Sequence, residues 1–133
     1  MTAQDHLAIL DLYARYNLSI DRGDAGTWAD CFISDGHFHH PARTWSGSPE
    51  LRQFVEERTM RVRAGNTPTQ AHWNNSITIT GDEHTAEGSC ELMVVGVLID
   101  SGCAQIVARG RYDDSMVKTA RGWQFFERRL TLL

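Results

Sequence analysis

The chain has 133 residues, 41% hydrophobic and 23% charged, which fits one globular domain spanning residues 1–133 and excludes a disordered or membrane-spanning chain. Its formal charge of −4 includes a single lysine, Lys118, so no basic field for nucleic acid exists, and Arg58, Arg61 and Arg63 beside Glu56 and Glu57 read as a solvated helix face. Cys31, Cys90 and Cys103 are odd in number without C-x-x-C spacing, which excludes a disulfide framework or thiolate metal site and predicts buried free thiols.

The first residues, Met1 to His6, carry neither a basic start nor an apolar run of signal-peptide length, so a cytoplasmic protein without membrane partners is expected. Thr2 with Asp5 resembles a capping box and predicts a helix from about Gln4 to Ile20. Leu7, Leu10, Ala14 and Leu18 form one apolar stripe, and Ile9, Tyr13, Tyr16 and Ile20 form a second beside it. The polar strip of Ala8, Asp11, Arg15 and Ser19 is narrow, so this helix is expected to be mostly buried.

Asp24 caps a short second helix through Trp28 to Phe32, and Asp35-Gly36 turns the chain before the strand-like His37-Phe38-His39-His40. Ser48-Pro49-Glu50 opens a third helix running to about Ala64, with Leu51, Phe54, Val55, Arg58 and Val62 roughly inward and Gly65 as its stop. Ala71 to Thr80, Thr85 to Ile99, Cys103 to Lys118 and Trp123 to Leu132 read as four strands of an antiparallel meander. Helices ahead of a meander predict an α+β fold with the helices on one sheet face. Leu92 to Ile99 is apolar at both parities, so the other face needs a cover. A second copy is the simplest one, which predicts a homo-oligomer, dimer or trimer, formed through the sheet.

Asp21 falls on the Leu10, Ala14, Asn17 side of the first helix, away from the polar strip. A buried carboxylate without a donor costs several kcal/mol, so a partner within hydrogen-bond reach is expected; a frayed last turn would instead release Asp21 to solvent. His72 opens the first long strand on the face of Asn74, Ser76 and Thr78, with Trp73, Asn75, Ile77 and Ile79 opposite. If the two meet, the carboxylate fixes the imidazole tautomer and leaves the other nitrogen to take a proton, a general base dyad that needs no nucleophile. G-x-S-x-G is missing. His37 and His39 present two imidazoles on one strand face, but no third ligand of convincing spacing follows, so no metal or other cofactor is expected. His40, on the parity of Phe38, is a candidate pocket residue. Tyr13 and Tyr16 are core aromatics or pocket-rim phenols, and Trp73 is core first and pocket wall second. Arg109 and Arg111 share a strand face, where Glu91 or Glu127 would pair with them.

Five segments carry a family resemblance. They are Tyr16 through Asp21, Trp28-Ala29-Asp30-Cys31-Phe32-Ile33-Ser34-Asp35-Gly36, Ala71-His72-Trp73-Asn74-Asn75-Ser76-Ile77, Gly110-Arg111-Tyr112-Asp113-Asp114 and Gly122-Trp123-Gln124-Phe125. Together they make the chain resemble, over nearly its whole length, the SnoaL-like members of the NTF2-like superfamily. The resemblance implies a cone: a curved, antiparallel, mixed-edge sheet wrapped around helices, with a cavity for a small, largely apolar or aromatic molecule. The pattern looks closest to the scytalone dehydratase, dehydrochlorinase and bile acid dehydratase type, where an aspartate ending the first helix and a histidine opening a strand form the catalytic dyad. Asp21 and His72 fall on those positions. His40 lies near a position where scytalone dehydratase has a pocket tyrosine, and Arg109 near that enzyme's second catalytic histidine. The expected function is a cofactor-independent lyase of dehydratase type acting on a small cyclic substrate. An isomerase or cyclase using the same dyad, or a non-catalytic binding or structural subunit, are the alternatives.

Overall fold

A computed structural model describes residues 1–133. Thr2 closes the capping box: its hydroxyl accepts the Asp5 N–H and the Asp5 carboxylate accepts the Thr2 N–H, so that α1 runs Ala3–Arg22. Gly23 stops it with φ 71°, ψ 26°, a left-handed conformation that disfavours other residues by about 1 kcal/mol. A Cβ at Gly23 would also come within 2.8 Å of Thr59 Cγ2, so this glycine lets the end of α1 close against the third helix.

Asp24 caps α2, Ala25–Ala29, by accepting the Thr27 N–H. The helix ends before Phe32, and strand β1, Phe32–His39, carries Asp35-Gly36 in a wide bulge: its pairing slips between Phe32 and His37, and a Cβ at Gly36 would come 3.0 Å from Phe32 Cβ, so the chain bends there without leaving the sheet. The cause is packing: the Phe32 ring sits 5.1 Å from Trp28 and 5.3 Å from Phe125, and β1 pairs with the C-terminal strand. A three-residue strand without a sequence signal of its own, β2, Thr44–Ser46, folds back on β1. Then come α3, Ser48–Arg63, and four long strands, β3 Thr69–Gly81, β4 Thr85–Val97, β5 Ala104–Thr119 and β6 Gly122–Leu132.

The sheet order is β2-β1-β6-β5-β4-β3. β3 to β6 form the antiparallel meander, and β1 joins β6 in parallel, giving the mixed edge. α1 packs on β3 and β6, and α3 on β1 to β3, which encloses the core on one side of the curled sheet. Ile9, Leu12, Tyr13, Tyr16 and Ile20 of α1 meet Leu51 and Val55 of α3 and the inner sheet face there.

α1 is less buried than its composition implies. Leu7, Leu10 and Leu18 are exposed, the first by 63%, because the helix packs along one stripe only. Ser19, from the supposed polar strip, is buried with its hydroxyl donating to the Tyr16 carbonyl. Cys31 and Cys90 are buried, and burial pushes both thiols up to about 11; Cys103 is exposed at the β4–β5 turn instead. No helix is long and apolar enough to cross a membrane.

The sheet register slips at four places, in β1 and at Val107 of β5 as well as at two bulges, in β3 and β6, that reverse the expected faces. In β3 the register slips between Asn75 and Thr78, and Ser76 sits at φ 52°. Beyond it the faces exchange: Thr78 turns outward to hydrogen-bond Ser89, and Ile79 packs inward, the reverse of simple alternation. In β6, Ser115 pairs with Glu127 but Met116 with Phe125, so Phe126 is an extra, exposed residue and Arg128 turns into the core.

Candidate active site

Asp21 lies in the last turn of α1, which Gly23 halts, and His72 lies near the start of β3, directly beside that turn. The Asp21 carboxylate accepts the His72 backbone N–H at 3.1 Å to both oxygens, and its Oδ1 is 2.6 Å from His72 Nδ1. The two side chains are 18% and 7% exposed. A carboxylate can only accept, so Nδ1 carries the proton and Nε2 holds the lone pair. Nε2 has no partner within the protein. Burial lowers the His72 pKa below its ordinary 6.5, against the opposing pull of the Asp21 hydrogen bond, and keeps the ring neutral.

His72 lines a cavity of about 260 Å³ between α1, α3 and the inner sheet face. Tyr16, Ile20, Phe38, Phe54, Leu92 and Tyr112 form much of its apolar wall, and its polar residues are His40, Arg58, Arg61, Gln70 and His72. Asp21 stands behind His72. His40 has the opposite tautomer to His72: its Nδ1 accepts the Ala42 N–H at 3.1 Å, so the neutral ring carries its proton on Nε2. Burial and the nearby Arg61 lower its pKa and favour that neutral form. Tyr16 donates to the Tyr112 hydroxyl at 3.3 Å, and the Tyr112 proton has no acceptor in the protein. Burial raises the pKa of both phenols and keeps them protonated.

Three candidates lie elsewhere. The Tyr13 hydroxyl donates to Asp114 at 2.6 Å inside the core. Trp73 and Arg109 border a separate hollow of about 190 Å³ on the outer sheet face, and Trp73 is 58% exposed. The parity of β3 explains this, since Trp73 neighbours the inward His72. Arg109 forms no ion pair, and Arg111 pairs with Asp113 rather than with Glu91 or Glu127. Glu127 binds His39 Nε2 at 2.9 Å, while the Nδ1 atoms of His37 and His39 bond Ser46 and Thr44. No group of three potential metal ligands gathers there. A groove of about 350 Å³ over Glu87, Ser89, Arg111, Asp113 and Ser115 is open to solvent and has a polar lining throughout. It offers little shelter from water.

Sequence reasoning gave three residues no part in the site. Arg58 lines the cavity, in keeping with its expected inward phase beside Leu51, Phe54 and Val55 and against the solvated-face reading drawn from Glu56 and Glu57. Tyr112 appeared only inside a family motif. Arg128 is fully buried, with Nε 2.9 Å from Asp114 Oδ1 and its guanidinium 3.5 Å from the Tyr112 ring centre and 4.3 Å from that of Tyr16. Burial alone would lower the Arg128 pKa, but Asp114 and the surrounding phenols raise it, so the cation persists beneath the cavity floor.

A curled sheet holding helices around one cavity is the NTF2-like, cystatin-like architecture. The family description "SnoaL-like domain" matches residues 1–129, and the chain belongs to that family. Among solved structures it is similar to a Novosphingobium aromaticivorans protein provisionally named an aromatic ring hydroxylase, with 28% identity across 100% of this chain and 92% of that one and a TM-score of 0.80. An NTF2-like protein with a cystatin-like fold from the same organism is 24% identical, over 98% and 82% of the two chains, with a TM-score of 0.87. Another from that organism, provisionally named a scytalone dehydratase, is 20% identical over 99% and 89%, with a TM-score of 0.79. At such identities the last two speak for the fold alone. No curated protein matches the chain.

Proposed function

We propose that this SnoaL-like domain is a cofactor-independent lyase that removes water from a small cyclic substrate, with His72 as the base and Asp21 as its orienting partner. One observation carries the reading: His72 Nδ1 is held at 2.6 Å by a carboxylate while Nε2 stays unpartnered on the wall of a mostly apolar cavity. Nε2 takes a proton from carbon, and the C–H electron pair becomes the new C=C bond. The C–O bond on the adjacent carbon breaks, and the departing hydroxide leaves as water with a proton from His40 Nε2 or the Tyr112 hydroxyl, which the proton held on His72 Nε2 then replaces. General base catalysis supplies a factor of about 10² to 10⁴, and the fixed donors of a sheltered cavity supply more as charge develops on oxygen.

The test is a panel of alicyclic and aromatic alcohols bearing an acidic neighbouring C–H, followed by mass spectrometry for loss of water. A product 18 mass units lighter, the mass of one water, supports elimination; a rearranged product of unchanged mass makes the same dyad an isomerase or cyclase. A panel wholly inert in the presence of folded protein speaks for a binding or structural role.

The chain also self-associates through the outer sheet face in this proposal. Trp73, Val97 and Ile106 are exposed there by 58%, 39% and 59%, beside the half-buried Met93 and Val95, a patch of the kind that marks an interface.

A further inference from the structure

We infer that the substrate carries a carboxylate, gripped by Arg58 inside the cavity with Arg61 at its mouth. The position assigned to this group rests on the reading of His72 as the base, while the anion preference itself is measurable without turnover.

The cavity has a cation excess of its own making. Arg58 and Arg61 both line it and no Asp or Glu does. Neither arginine belongs to an ion pair, a state they share with several surface arginines but hold here against an apolar cavity. Arg58 makes one side-chain bond, from Nη2 to the neutral Gln70 Oε1 at 2.9 Å, which leaves most of its five donors unused. Gln70 is in turn fixed by donating to Thr67 Oγ1 at 3.1 Å. Desolvation pushes the pKa of Arg58 down, as expected of a partly buried cation without a carboxylate in contact.

A planar guanidinium matches a carboxylate with two parallel hydrogen bonds, which a single alcohol or ketone oxygen cannot accept. Gln70 and His72 are two residues apart on one strand face, a separation of about 7 Å. An anion on Arg58 beside Gln70 therefore places a ring carbon, rather than the carboxylate's own α-carbon, under His72 Nε2. The carboxylate is the handle and the reacting C–H lies across the ring. The cavity volume, about 260 Å³, is below the roughly 300–1,000 Å³ of pockets for drug-sized ligands and suits one ring with its substituents.

The experiment compares cyclohexanecarboxylate and benzoate with cyclohexanecarboxamide and benzamide, by calorimetry and by NMR of the His72 imidazole and Arg58 Nε–H. The carboxylates are expected to bind about tenfold more tightly than the amides at neutral pH, the effect of one charge-assisted hydrogen bond. Arg58→Gln should abolish the preference, Arg58→Lys retain part of it and Arg61→Gln reduce it. His72→Ala should leave it intact, so a protein that prefers carboxylates but eliminates nothing would count against the lyase reading alone. Equal binding of amide and carboxylate, no carboxylate binding at millimolar concentration, or a preference surviving Arg58→Gln in folded protein overturns the inference. Should Arg58→Gln fail to fold, Arg61→Gln on the exposed end of α3 decides: an unchanged preference overturns the inference and a reduced one supports it.

Discussion

His72 and His40 face one cavity with the same ring nitrogen engaged in opposite roles: His72 gives Nδ1–H to Asp21, and His40 receives the Ala42 N–H on Nδ1. One imidazole is thereby left with a lone pair on Nε2 and the other with a proton. Burial lowers both pKa values below 6.5, with Arg61 adding to the effect at His40. The catalytic rate should therefore be flat above neutrality and fall about tenfold per pH unit below the depressed His72 pKa. Stability follows the same sign. As pH falls, the unfolded chain takes up these protons first, near 6.5, so stability is complete above that pH and is lost down to the folded pKa values. Imidazole NMR titration with melting curves in parallel checks both.

Asp21→Asn removes the carboxylate that raises the His72 pKa, so the imidazole should titrate at still lower pH than in the parent. It also weakens contacts to the His72 ring and backbone. A loss of about 1–3 kcal/mol is expected, a drop in Tm of several degrees. A titration and a Tm both unchanged would mean that the carboxylate does not control the ring.

Arg128 and Asp114 are both fully buried and paired at 2.9 Å. Replacing Arg128 by Met strands a carboxylate among aromatic rings and should destabilise the fold by about 3–5 kcal/mol. Arg128→Met combined with Asp114→Leu should lose less than the two single changes together, because no orphan charge remains. Denaturant unfolding of the three variants reads this directly.

Gly88 leaves room for the Tyr13 hydroxyl, which a Cβ would overlap, and that Cβ would also come 2.9 Å from Met116 Cε. Gly88→Ala should destabilise by about 1–3 kcal/mol, and Tyr13→Phe in that background should recover part of the loss by removing the colliding oxygen. Equal melting of Gly88→Ala and parent would show that the strand yields.

Helical and strand periods made most of the architecture legible, because capping residues and turn glycines stand where the elements end. Period alone could not choose which stripe of α1 to bury: Leu7, Leu10 and Leu18 are as apolar as Ile9, Tyr13 and Ile20, and only the position of the sheet decides. The bulges were equally invisible. Strict alternation from Phe125 sends Glu127 inward and Arg128 out; the extra residue Phe126 reverses both. Asp21 and His72 stood out because a carboxylate on a nonpolar helix side needs a donor. His40 could be placed from the parity of Phe38, whereas Tyr13, Trp73 and Arg109 depended on neighbours that no local pattern reveals.

The outer sheet face offers a separate check on assembly. Sedimentation should give a mass of two or three chains, and Ile106→Glu, changing an exposed residue beside Val95, should reduce it to one chain with Tm lowered only through lost association. A parent that sediments as a single chain contradicts the proposed interface.

The most direct measurement is single-turnover water loss, on a substrate found by the alcohol panel, for the parent, His72→Ala and Asp21→Asn. His72→Ala should fall to the uncatalysed rate and Asp21→Asn by a factor of about 10² to 10⁴, both with substrate still bound. A folded His72→Ala protein that releases water at the parent rate would contradict the account.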